Sequence, residues 1–293
     1  MLSLSDFLAT HTFRQMVLGC TLIGALAGAM GCFIYLRKRT LMSDVIGHAA
    51  TTGVMLAFLI GAAVLGVDGR SLWLLVIGSV LIGTLAAVLA DRIAASTRVG
   101  IDAAMAVMLA LFFGTGLILL RVIERSSLRG RGGLKDYFFG NASLLTTSDV
   151  RTIAVLAVLI AAGLALGYRA LAVHVIDPVA GSVAGVSARL VSPLLLVGVA
   201  IAVVVGVRAV GLILMVALAA IPPAAARQFT RHLHTMVALA AAIGAGGALI
   251  GSYLSVALGK VPTGPVIVLV LTAALALSLL FAPGRSVLRR AAL

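Results

Sequence analysis

The chain alternates long apolar runs with short polar breaks, and the runs have the length of membrane crossings. A helical crossing needs roughly 20 apolar residues. On that criterion the pattern predicts spans near 16–36, 45–66, 71–90, 101–120 and 150–168, then, after a polar interval, 190–207, 209–226, 236–258 and 264–282. The run from 190 to 226 is too long for one crossing, and Gly206, Arg208 and Gly211 mark the hairpin expected within it. The pattern reads as an all-α polytopic membrane protein of about nine transmembrane helices, or eight if one segment is re-entrant. The two longest polar intervals, about 121–149 and about 169–189, are too short to fold alone, so residues 1–293 are expected to form one transmembrane domain.

Composition agrees with the pattern. Of 293 residues, 62% are hydrophobic and 11% charged, with a mean hydropathy of +1.22. A soluble domain is typically about 45–50% apolar and about a quarter charged, so this chain lacks the polar surface to cover a water-soluble globule. The net charge of +13 comes from 22 Lys and Arg against nine acids. Nucleic-acid binding would gather those bases on one face beside stacking aromatics. Here they sit in short clusters between apolar runs, such as Arg37-Lys38-Arg39 and Arg289-Arg290, which suits control of membrane topology and excludes nucleic acid as a partner.

Orientation follows from the same residues. An external N-terminus places twelve of the 22 basic residues inside, from Arg37 to Arg290, and of the ten outside, six belong to the single stretch from Arg121 to Arg151. Long loops count weakly in this rule. Residues 121–149 are therefore expected outside and residues 169–189 in the cytoplasm. The first fifteen residues carry Asp6 and no basic start, unlike a cleavable signal peptide, so the first span is expected to serve as the targeting signal. Cys20 and Cys32 lie about 18 Å apart along that helix at 1.5 Å per residue, beyond disulfide reach, and read as small packing residues. Gly24–Gly28 and Gly247–Gly251 form GxxxG pairs that let helices approach closely in lipid.

Candidate chemistry concentrates in RTLMSDVIGHAATTG, residues 39–53. Asp44 and His48, four residues apart, share one helix face, and Thr51 and Thr52 extend it by one turn. A carboxylate oxygen with an imidazole nitrogen suits manganese, iron(II) or zinc. Two ligands make an incomplete site, which fits transient passage better than storage. The plainer alternative makes Asp44 a helix cap and His48 a packed neutral ring. Ionisable groups at membrane depth usually mark an ion path, yet the pair by itself leaves open a pore, a secondary-active metal transporter and an intramembrane hydrolase using metal-bound water. The chain has no HExxH, no GxSxG and no GxxxxGK[ST], so ATP hydrolysis would have to come from another polypeptide. His232 and His234 could chelate metal but read as part of a solvated basic turn, and His11 and His174 read as isolated polar residues.

Several segments together resemble the permease subunit of metal-type ABC importers, the manganese, zinc and iron uptake systems of bacteria. LRKRTLMSDVIGHA is similar to the family's Leu-Arg turn followed by Asp-x-x-x-His. DAAMAVMLALFFGTGLILL at 102–120 resembles its Asp-led fourth span, and FFGN at 138–141, followed by Asp149, its Leu-Phe-Gly-Asn element. VGLILMVALAAIPPAAARQF at 210–229, PTGPVIVLV at 262–270 and LLFAPGR at 279–285 continue the series in order. The resemblance implies a fold like that of the vitamin B12 importer and a multi-pass location in the bacterial cytoplasmic membrane. The implied partners are a cytoplasmic ABC ATPase dimer, an external metal-binding protein and a second copy or a related permease. No permanent cofactor is implied. The cargo is a divalent ion, manganese foremost, with zinc and iron as the other candidates.

The resemblance also assigns residues. Asp177, Pro178 and Gly185 match the Asp-Pro and trailing Gly of the interval that seats in the ATPase, although Val179 and Gly181 replace an acidic residue and an alanine there. Thr51-Thr52-Gly53 stands where relatives carry Leu-Pro-Gly, adding oxygen to the expected path. Arg14, Arg121, Arg125, Arg129 and Arg131 form either a solvated surface or a docking surface for acidic patches of the binding protein.

Overall fold

The computed structural model describes residues 11–64, 71–126, 142, 145–259 and 261–282, and its regular elements are helices. They are α1 (His11–Leu36), α2 (Met42–Leu59, prolonged by the π-helical turn Ile60–Val64), α3 (Leu72–Ser96), α4 (Ile101–Arg125) and α5 (Thr147–Ile176). The short α6 (Pro178–Val183) follows, then α7 (Ala188–Val210), α8 (Leu212–Phe229), α9 (Leu233–Ala257) and α10 (Thr263–Phe281). All except α6 are long and apolar enough to cross a bilayer, which gives nine spans among the described residues and leaves no need for the eight-span alternative. The FFGN segment, Arg129, Arg131 and the end of LLFAPGR lie outside the described residues, as do the side chains of Arg189 and Arg208.

Helix ends differ from the hydropathy pattern for local reasons. The apolar run of the fifth span breaks at Arg169, but α5 continues to Ile176 because nothing before Asp177-Pro178 interrupts its hydrogen bonds. A residue preceding proline is disfavoured in helical geometry, and Asp177 has φ −143° and ψ 91°. The polar interval is therefore shorter than the expected 169–189. α4 likewise runs past its apolar segment to Arg125. Within the long run of 190–226, the expected hairpin narrows to Gly211, whose φ of 87° is open to glycine and strained for other residues.

α1 and α2 are the most enclosed spans and α5 the least. α1 packs chiefly on α9 and α8, α2 on α3 and α4, and α10 on α8 and α9. Lipid offers little hydrophobic drive for one helix to leave it for another, so close backbone approach supplies dispersion instead. Both GxxxG pairs do this. A Cβ on Gly24 would lie 2.8 Å from the carbonyl carbon of Gly244, one on Gly28 3.0 Å from that of Ala240, and one on Gly251 2.6 Å from Ile267 Cα. Cys20 and Cys32 are fully buried free thiols. Cys32 Sγ donates to the Gly28 carbonyl at 3.4 Å and to the Met236 carbonyl at 3.7 Å, joining α1 to α9.

Side-chain bonds fix which ends lie together. Arg37 reaches His174 at 3.2 Å, so the turn after α1 and the end of α5 share one face of the bundle. At the opposite face Thr147 Oγ1 and His11 Nε2 are 3.3 Å apart, and Ser255 donates to the Val261 carbonyl at 2.6 Å.

Gly28→Ile should force α1 and α9 apart and cost about 1–3 kcal/mol, the usual penalty of overpacking. Thermal unfolding of the detergent-purified protein would show a lower midpoint, and an unchanged midpoint would contradict this contact.

Candidate functional site

The site begins where α1 ends. Lys38 is in the left-handed region at φ 56°. The Lys38 N–H donates to the Tyr35 carbonyl at 3.0 Å and the Arg39 N–H to the Ile34 carbonyl at 3.1 Å. This Schellman pattern closes α1. Three residues on, the Met42 N–H donates to the Arg39 carbonyl at 2.9 Å, which ties the start of α2 to that turn. Arg39 pairs closely with Asp91 of α3. Arg37 donates to Ser192 of α7 and to His174 of α5. Burial, and then the like charge of Arg39, lower the pKa of Arg37 from its ordinary value, with Asp91 partly opposing them. A guanidinium stays charged through such a shift.

Asp44 is not the cap of α2. Leu41 occupies that position without a side-chain bond, and Asp44 lies inside the first turn, where a carboxylate is favoured by the helix dipole. Its Oδ1 lies 3.4 Å from His48 Nε2, with the two side chains 28% and 19% exposed. Two atoms each about 2.1 Å from one metal ion sit roughly 3.0–3.4 Å apart at octahedral to tetrahedral angles. The separation falls at the upper end of that range, on a face that retains access.

The surroundings hold the imidazole lightly. Its ring stands edge-on to Phe113 of α4, with centroids 4.6 Å apart and planes at 76°. His48 Nδ1 is buried and makes no hydrogen bond. Tightly bound metals usually have their histidine fixed through that second nitrogen. Among the described residues no group of three or more His, Cys, Asp and Glu gathers to hold an ion. The ring is thus placed by Asp44 and Phe113 and not through Nδ1.

The threonines divide. Thr51 is half-buried, whereas Thr52 is 2% exposed and its hydroxyl donates to the Phe112 carbonyl of α4. The Thr52 oxygen is thus engaged in packing. Gly116 makes that approach feasible, since a Cβ there would lie 3.0 Å from both Thr52 N and Thr52 Oγ1.

At the same end of the bundle, Asp177 caps α6 by accepting from the Val179 and Ala180 N–H groups at 3.0 Å each, and Pro178 opens the helix. Gly185 closes it at φ 79° in a second Schellman pattern, with the Val186 N–H on the Gly181 carbonyl at 2.9 Å. Each of these three residues thus has a structural task, and together they present Val179 and Val183, 75% and 85% exposed, on one side of α6. His232 and His234 are exposed, with ring centroids 5.7 Å apart. At the other end Arg14 and Arg125 are exposed, and Arg121 donates to Glu124 at 3.2 Å. The sequence pattern gave Asp91 and Phe113 no individual role and treated Arg37 only as part of a basic cluster.

The sequence model of the ABC 3 transport family matches residues 9–282. The zinc transport system membrane protein TroC of Treponema pallidum is 34% identical over 286 residues, 98% of this chain and 94% of that one. The manganese transport system membrane protein MntC of Halalkalibacterium halodurans is 31% identical over 287 residues, 97% of this chain and 92% of that one. Among solved structures, PsaBC from Streptococcus pneumoniae in complex with Fab superposes with a TM-score of 0.83 at 27% identity, over 98% of both chains.

Thr52→Val removes the hydroxyl that joins α2 to α4 and should cost about 0.6 kcal/mol, the average for such bonds in a membrane bundle, and at most about 1.7 kcal/mol. Comparing melting of the purified proteins checks this, and equal midpoints would remove the bond from the account of α2–α4 packing.

Proposed function

The chain belongs to the ABC 3 transport family, and on that premise we propose that it is the permease subunit of an ATP-driven importer of divalent transition-metal ions. Manganese is the first expectation, with zinc and iron as alternatives. The observation that carries this is the 3.4 Å separation of Asp44 Oδ1 and His48 Nε2 on a half-exposed face of α2. Oxygen and nitrogen donors in equal number suit these ions, and the missing remainder of the coordination shell suits passage. An external binding protein delivers the ion, Asp44 and His48 touch it in transit, and Thr51 offers a further oxygen beside them. The family membership leaves the secondary-active alternative without support. The hydrolase alternative requires a third ligand, and the described residues gather none.

The partners follow from what each end of the bundle presents. Val179 and Val183 are exposed on a six-residue helix beyond the spans, and an apolar patch outside lipid marks a contact for another protein. That contact is an ABC ATPase, held with Asp177, Pro178 and Gly185 shaping the helix. Arg14, Arg121 and Arg125, with Arg129 and Arg131 beyond the described residues, steer the binding protein at the other end through opposite charge. A second permease chain completes the path, and the assembly sits in the cytoplasmic membrane.

Asp44→Asn and His48→Gln should each lower manganese or zinc uptake by at least about tenfold at equal expression, since even outer-shell changes at metal sites cost 10–100-fold. Uptake of both ions at the native rate would end the role given to the pair. Separately, Val179→Asp with Val183→Asp should abolish co-purification of a stoichiometric ATPase, and retention of the ATPase would move the docking contact elsewhere.

A further inference from the structure

Arg37 occupies a position that neither the metal pair nor the ATPase contact explains. Its guanidinium donates through Nη2 to His174 Nε2 at 3.2 Å, and through both Nη1 and Nη2 to Ser192 Oγ at 3.3 Å. His174 is 4% exposed and stands three residues before Asp177, on the stalk that leads into α6. Ser192 stands on α7, the stalk that leads out. One side chain therefore clasps both stalks of the α6 hairpin. For His174 Nε2 to accept from Arg37, the imidazole must be neutral with its proton on Nδ1.

The other end of Arg37 is tied to the metal pair. Its backbone sits where α1 closes, and the hydrogen-bonded turn from Lys38 to Leu41 carries directly into α2. Asp44 follows Arg37 by seven residues, across a turn whose Arg39 carbonyl accepts from the Met42 N–H. Arg39, two residues on, anchors the same turn to α3 through Asp91. The turn is thus a junction between the α6 hairpin, α3 and the helix that bears Asp44 and His48.

We propose that Arg37 is a positioning residue that transmits movement of the α6 hairpin to α2, so that the ATPase cycle changes the setting of Asp44 and His48. The proposal rests on the permease function above, with the ATPase engaging α6. A planar fork suits the task, because its donors reach both stalks at once, whereas an ammonium is a single point of contact. Coupling of this kind requires an element whose state both sites bias, and the bonded turn between α1 and α2 supplies it.

Two measurements test it. In proteoliposomes with the ATPase and binding protein, Arg37→Ala should retain ATP hydrolysis while manganese or zinc carried per ATP falls about tenfold, within the range of ordinary coupling energies. Arg37→Lys should recover part of that ratio. Ser192→Ala, which removes one half-buried hydroxyl without disturbing the helix, should give an intermediate value. An unchanged ratio in folded Arg37→Ala complexes would overturn the proposal.

The second measurement needs no metal transport. Spin labels at Leu41→Cys and Ser182→Cys, both exposed positions, report whether α2 and α6 move together, and the fully buried Cys20 and Cys32 stay unlabelled. With Arg37 present the distance distribution should be narrow, and with Arg37→Ala it should broaden. Equal widths would overturn the link. If the native complex carries neither ion, the metal function fails, and the label distances alone decide whether Arg37 joins the two helices.

Discussion

Inside a bilayer no water satisfies a peptide group, so each crossing must bond its own backbone. That constraint makes the nine long elements helices and leaves the remaining freedom to how they pack. Because lipid is as apolar as leucine, packing depends on closeness, and this chain obtains it with glycine. Gly24 and Gly28 press α1 on α9, Gly251 presses α9 on α10, and Gly116 admits α2 against α4. Polar side chains within the spans bond to carbonyls on a neighbouring helix or on their own. Thr52 on the Phe112 carbonyl and Ser79 on the Leu75 carbonyl are examples.

Against that background the polar residues at one end of the bundle stand out as a group. Arg37, Arg39, Asp91, His174 and Ser192 join four helices around a single turn, and Asp44 and His48 begin the helix that leaves it. Asp44 follows Arg39 by five residues, two turns of chain past the end of α1. Ionisable groups that are costly at mid-membrane are cheaper near the interface, and Asp44 and His48 lie in the first turns of α2. The pair stays spaced for an ion while the ring's second nitrogen goes unbonded. A site with a fully bonded outer shell would hold metal more tightly and release it more slowly.

Much of this was legible from hydropathy alone. The count of spans, the hairpin near Gly211 and the polar face of Asp44 and His48 follow from run length and from i, i+4 spacing, both of which are local. Helix ends were less legible: α5 outlasts its apolar run by eight residues because a helix stops at Asp177-Pro178, not where hydropathy falls. Thr51 and Thr52 were indistinguishable in sequence and differ only because α4 lies against one of them. The basic residues after α1 read in sequence as a single cluster, yet its arginines have separate partners 52 to 155 residues away.

The sequence by itself thus determined the membrane environment, the helical class and the shared helix face of Asp44 and His48, since each depends on residues close along the chain. Tertiary structure decided which helices meet, which hydroxyl is spent on packing, how Phe113 holds His48, and that Arg37 reaches both stalks of α6. Those outcomes depend on the three-dimensional approach of distant spans, which in lipid is set by shape complementarity between helix surfaces rather than by any periodicity that one segment carries.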